Sequence, residues 1–131
     1  MDEFLKSIPG AVELLAWFGH WPSFHDAEIV SLTLNRSGVS ILRVHTWQMT
    51  SQIDERGYYV LDKHIVVNFQ MEEIQGLQLV DFSPQNLIFG LTLREIEGGF
   101  QIEMDPCYGL AGTISARKLS LEFEPVPGGL L

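Results

Sequence analysis

The sequence is poor in cysteine and in positive charge, and it has no long apolar run. One cysteine, Cys107, cannot close an internal disulfide; this excludes the disulfide-stapled secreted scaffolds and fits a reducing cytosol. Eight Lys and Arg against 17 Asp and Glu leave a formal net charge of −9, so phosphates are repelled and nucleic-acid binding is not expected. No stretch reaches the roughly 18 apolar residues of a membrane-spanning helix. The acidic start Met1-Asp2-Glu3 lacks the basic region of a secretory signal. There is no internal repeat, low-complexity tract or linker at which to divide the chain. These absences lead to the expectation of one acidic, cytoplasmic domain over residues 1–131 with no membrane or nucleic-acid partner.

What is present is 46% hydrophobic residues, enough for a folded core. Residues 1–24 read as a helical segment. Ser7 is placed to cap a helix with Pro9 in its first turn, and Val12, Leu15 and Ala16 share a face at helical spacing. With Glu13 the only charge between Ala11 and Phe18, this helix is expected to be mostly buried, stopping at Gly19.

Residues 25–124 read as antiparallel strands. From Ala27 the apolar period changes to two, and Val39 to Trp47 is the expected hairpin partner of the first strand. Gln48 to Asp62 reads as a long polar hairpin loop. Lys63 to Glu73 is a third strand with Ile65, Val67, Phe69 and Met71 on one side, followed by a short extended piece from Leu77 to Phe82. Leu87 to Ile96 turns at Glu97-Gly98-Gly99 into Phe100 to Met104, the clearest hairpin in the sequence. Pro106-Cys107-Tyr108-Gly109 reads as a turn. In the last strand, Thr113 to Glu124, the apolar phase slips between Ala116 and Leu119, which predicts a β-bulge near Arg117-Lys118. Residues 125–131 read as a loose tail. The fold class is therefore α+β: a short N-terminal helix packed on a twisted, mainly antiparallel sheet of six to seven strands, curled into a half-barrel or a two-layer sandwich.

The densest polar cluster runs from His20 to Glu28. His20, His25, Asp26 and Glu28 are metal ligands by type, which would suit a small metal-dependent hydrolase. Pro22 keeps His20 and His25 off one helical face, and the side chains of His25 and Asp26 are expected to point apart at a strand start. The structural alternative has His25 and Asp26 satisfying backbone groups at the corner while Trp21 and Phe24 pin it to the core. Cys107 has no sequence-local base, Ser23 lacks a nucleophile elbow, and His45 and His64 sit inside strands. No glycine loop precedes a helix to cradle a phosphate, so no cofactor is expected.

The run Trp21-Pro22-Ser23-Phe24-His25-Asp26-Ala27-Glu28 at the start of a strand resembles the immunity protein 50-like family of bacterial polymorphic toxin systems. The later pattern is also similar, through Asn86-Leu87-Ile88-Phe89 and Tyr108-Gly109-Leu110 to the closing strand. The resemblance implies a small bacterial protein that binds a cognate toxin and supplies no known catalytic residues to carry over; it marks Trp21, Pro22, Phe24, His25, Asp26 and Glu28 as a signature without giving them a role. The acidic balance suits a basic toxin such as a nuclease. Asp54, Glu55, Tyr58 and Tyr59 are the candidate partner contacts, because tyrosines on a loop give large, rigid contact area. Pairing of exposed edge strands into a homo-oligomer is the third reading.

Overall fold

Pro9 and Gly10 divide the N-terminal helical segment in two. In the computed structural model, which describes residues 3–126, α1 spans Glu3–Ser7 and α2 spans Ala11–Phe18. Ser7 does not cap the second helix: its Oγ donates to the Phe4 carbonyl at 2.6 Å, inside α1. Gly10 occupies the N-cap position of α2 with φ 91°, and Gly19 ends the helix by donating its N–H to the Leu15 carbonyl. The buried face is Ala11, Leu14 and Phe18. The face read from the sequence is the outer one, with Val12 half exposed and Ala16 exposed.

Six antiparallel strands follow: β1 (Glu28–Thr33), β2 (Val39–Ile53), β3 (Tyr59–Val80), β4 (Leu87–Ile96), β5 (Gly99–Tyr108) and β6 (Ala111–Pro125). The expected α+β fold with a curled antiparallel sheet is present, and the six strands close into a barrel in the order β1-β2-β3-β6-β5-β4. Closure pairs the edge strands β1 and β4 that an open sheet must otherwise protect. The seam is narrow. Glu28 faces Leu87, and backbone bonds from Asp26 to Ile88, from Ile88 to Ala27 and from Ile29 to Asn86 at 2.8–3.0 Å complete it.

Alternation along each strand sends one set of side chains inward. Leu42 and Val44, then Ile65, Val67, Phe69 and Met71, then Ile102, Met104 and Ile114 are all 2% exposed or less. β5 leaves β6 at Phe100, opposite Ala116, so the outer half of β6 has only β3 beside it. The helices fill that gap. The Leu121 N–H donates to the Pro9 carbonyl at 2.8 Å, Phe4 stacks on Phe100 at 5.7 Å, and Trp17 lies 6.0 Å from Phe123.

Several boundaries differ from the sequence reading. The loop expected over Gln48 to Asp62 is mostly strand, and only residues 54–58 turn. β3 runs unbroken through Gly76, so Leu77 to Val80 extend it rather than forming a separate piece. β5 continues through Pro106-Cys107-Tyr108, and the turn comes at Gly109 and Leu110. The phase slip in β6 is real, with Arg117 and Lys118 both exposed between buried Ala116 and Leu119. β3 slips at the same level, where Glu72 and Glu73 are exposed and Glu73 takes φ 57°. The two strands therefore stay in step, and the register shift falls between Ile74 and Gly76 instead of at Arg117-Lys118. Pro125 is not loose: it pairs with Ile65, and the Val126 N–H donates to the His64 carbonyl at 3.0 Å. The rest of the expected tail, 127–131, lies outside the described residues.

Candidate functional site

The segment between Gly19 and Glu28 carries the chain from the end of α2 to the barrel seam. Its apolar members anchor it: Phe24 is buried at 1% exposure, 5.8 Å from Phe69 and 6.4 Å from Trp21, and Pro22 is buried. Two non-glycine residues here take left-handed backbone, Phe24 at φ 58° and Asp26 at φ 63°. Such conformations cost of order 1 kcal/mol or more and persist only where neighbours hold them. The holding bonds are Ala27 N–H to the Phe24 carbonyl at 3.1 Å and Asp26 N–H to the Ile88 carbonyl at 2.9 Å.

Backbone bonds fix the corner together with Ser23, whose Oγ accepts the His25 N–H at 3.2 Å, and the residues Ser23, His25 and Asp26 are exposed. The Asp26 side chain is 56% exposed, and its contact is His25 Nε2 at 3.5 Å. Among the described residues no backbone N–H bonds the Asp26 carboxylate, contrary to the expectation. The expectation that His25 and Asp26 point apart is also corrected, since the left-handed turn at Asp26 brings them together. His25 Nδ1 lies 3.2 Å from the Phe89 carbonyl, and its ring meets Phe89 edge-on at 4.9 Å. Among the described residues no three His, Cys, Asp or Glu converge so as to hold a metal ion, so His20, His25, Asp26 and Glu28 do not form one centre.

The corner forms one wall of a cavity of about 290 Å³. Residues 20 and 22–26 line one side, and residues 46–49 of β2 line the other. This second wall is shaped by an irregularity: between the pairs Thr46–Ile65 and Gln48–Asp62, Lys63 and His64 together oppose Trp47. Lys63 adopts φ 52° there. A bulge of this kind re-aims side chains, and it places Trp47, His45 and His64 in mutual contact, with ring centroids 5.1–5.9 Å apart. The Gln48 side-chain oxygen is buried in this wall without a hydrogen-bond partner among the described residues.

His45 and His64, read from the sequence as separate strand residues, form a pair with Nε2 3.1 Å from Nδ1. Burial lowers the pKa of His45 below its ordinary 6.5, and the charge of His64 lowers it further. The folded protein thus resists protonation at His45, whereas the unfolded chain accepts it at the usual pH. The stabilising contribution is complete above the unfolded pKa and is lost as pH falls through 6.5 toward the folded value. The melting temperature should therefore drop between about pH 7.5 and about pH 5.5, and His45→Gln should flatten that drop in thermal melts. An unchanged slope in the variant would remove His45 as its source.

Past the pairs His45–Glu28 and Ile65–Pro125, the β2–β3 hairpin has no neighbouring strand on either side among the described residues. It projects from the barrel as a two-stranded arm. Met49, Ile53, Tyr58 and Tyr59 on it are 56–68% exposed. Asp54 holds the tip together, since its Oδ1 accepts the N–H groups of Arg56 and Tyr58 at 2.9 and 3.1 Å. Glu55 is exposed beside it.

Asn86, quoted from the sequence only as part of the resemblance, has a structural role that sequence reasoning missed. It is 2% exposed, Oδ1 accepts from the Ser83 and Leu110 N–H groups, and Nδ2 donates to the Ser83 carbonyl at 2.7 Å. The Ser83-Pro84-Gln85-Asn86 spacing, typical of an Asn-closed turn, is the signal that could have found it. No family model, curated protein or solved structure matches the chain. Among the described residues no helix is long and apolar enough to cross a membrane.

Proposed function

We propose that the chain is a non-enzymatic binding protein of the bacterial cytosol that neutralises a cognate, basic toxin. The projecting arm is the observation that carries this reading. Four large apolar or aromatic side chains stand exposed on a ribbon with no neighbouring strand among the described residues, and exposed apolar patches of this kind mark interaction sites. Tyr58 and Tyr59 add rigid contact area, and the free strand edges offer main-chain hydrogen bonds. The net charge of −9 steers a basic partner toward the surface and away from other acidic chains. A contact of about 800 Å² per partner is standard, about a tenth of the 7753 Å² exposed here. The resemblance of residues 21–28 to the immunity protein 50-like family supports the same reading. The convergent ligand set needed for a metal-dependent hydrolase is not present among the described residues.

Co-expression with the toxin gene expected beside this one is the test. The wild-type chain should rescue growth and co-purify with the toxin, and Ile53→Asp combined with Tyr59→Asp should weaken the complex by about 100-fold while the melting temperature stays near wild type. No complex and no protection would end the proposal. Light scattering that shows a dimer lost in the same double variant would assign the arm to self-association instead.

A further inference from the structure

The cavity between the corner and the foot of the arm has a composition that selects its occupant. Among the described residues Asp26 is the only carboxylate in its lining, and no lysine or arginine lines it. Trp47 contributes an aromatic side chain to the lining, with Gln48 beside it. At about 290 Å³ it sits at the bottom of the range of roughly 300–1,000 Å³ for small-molecule sites, sized for one long side chain rather than a large cofactor.

We propose that this cavity receives an arginine side chain of the protein partner. The inference rests on the binding-protein reading above and names the group recognised. A guanidinium meets both the carboxylate and the aromatic side chain at once. It sets a full positive charge against the exposed Asp26 carboxylate, lies flat on an indole face, and keeps its fan of donors for the carboxylate. A lysine ammonium is a compact point charge and satisfies the aromatic surface less well. Gln48 and Met49 belong both to this lining and to the base of the arm, so a partner seated on the arm lies over the cavity mouth.

The test uses the whole chain, isotope-labelled for NMR, titrated with Nα-acetyl-arginine N-methylamide and in parallel with the lysine and glycine analogues. The arginine probe should shift the Trp47 indole and Gln48 side-chain amide signals and saturate in the millimolar range, on the order of a few kcal/mol of binding. Asp26→Asn should weaken it about tenfold. Asparagine tolerates the left-handed backbone at φ 63°, and the side chain is exposed, so this variant keeps the fold. Trp47→Met provides a second variant with the carboxylate intact and should weaken binding by a similar factor of about ten. No shift at Trp47 and Gln48, equal response to the glycine analogue, or undiminished binding in Asp26→Asn would each overturn the proposal. The titration does not involve the toxin. A toxin complex that forms normally with Asp26→Asn would remove the arginine site and leave the binding-protein reading intact; failure of rescue would remove that reading whatever the titration shows.

Discussion

Asn86→Ala should lower the melting temperature by about 10 °C, the equivalent of about 3 kcal/mol in a domain of this size. The side chain is 2% exposed and holds three backbone groups from two separate stretches of chain. Two are N–H groups, of Ser83 and of Leu110, each 2.9 Å from Oδ1; the third is the Ser83 carbonyl. Alanine leaves all three unpaired, and Leu110 is itself 1% exposed, so water does not readily replace the lost partner. The damage extends to the seam, because the Asn86 carbonyl accepts the Ile29 N–H at 2.8 Å in the narrow closure between β1 and β4. Hydrogen exchange at Ile29 and Ile88 should accelerate in the variant more than exchange at Phe69, whose strand is paired on both sides. A melting temperature within about 3 °C of wild type, less than one lost buried bond would give, would mean that Asn86 only fills space.

The parts of the fold legible in the sequence are those in which local pattern and final environment agree. The hairpin from Leu87 to Tyr108 is readable because two alternating runs flank Glu97-Gly98, and the structure turns on those two residues between paired Ile96 and Gly99. β3 reads as two pieces because its alternation fails at Glu72-Glu73 and a glycine follows. Its length emerges only when β6, slipping at the same level, is laid beside it. The buried face of α2 is not decidable locally, since every residue but Glu13 is apolar; packing on the common core places Ala11, Leu14 and Phe18 inward. The run from Trp21 to Glu28 stands out by composition, yet its geometry is opaque, because Asp26 turns outward only through the left-handed backbone that the seam bond to Ile88 imposes. The facing wall of the cavity, Thr46 to Met49, is about twenty residues further along the chain and is set by a bulge on a third element, so no local signal joins the two.

Gly10→Ala should be the most damaging single-methyl change in the described chain end, costing about 4 kcal/mol or more and about 15 °C in melting temperature. Two separate penalties meet there. The backbone at φ 91° is one that L side chains rarely adopt. The added Cβ would also fall 1.9 Å from the Leu121 carbonyl oxygen and 2.8 Å from its carbon. These are backbone atoms of a paired strand, with no rotamer through which to withdraw. The helices must move instead, and the move breaks the Leu121 N–H bond to the Pro9 carbonyl and loosens Ile8, Ala11 and Leu14 from the core they share with β6. Gly38→Ala separates the two penalties, since Gly38 has a similar φ of 82° but nothing within 4 Å of an added Cβ. It should cost only the backbone part, about 1 kcal/mol. If the two variants melt together, close approach of the helical segment to β6 is not what requires glycine at position 10, and the gap beside the outer half of β6 is closed more loosely than its bond to Pro9 indicates.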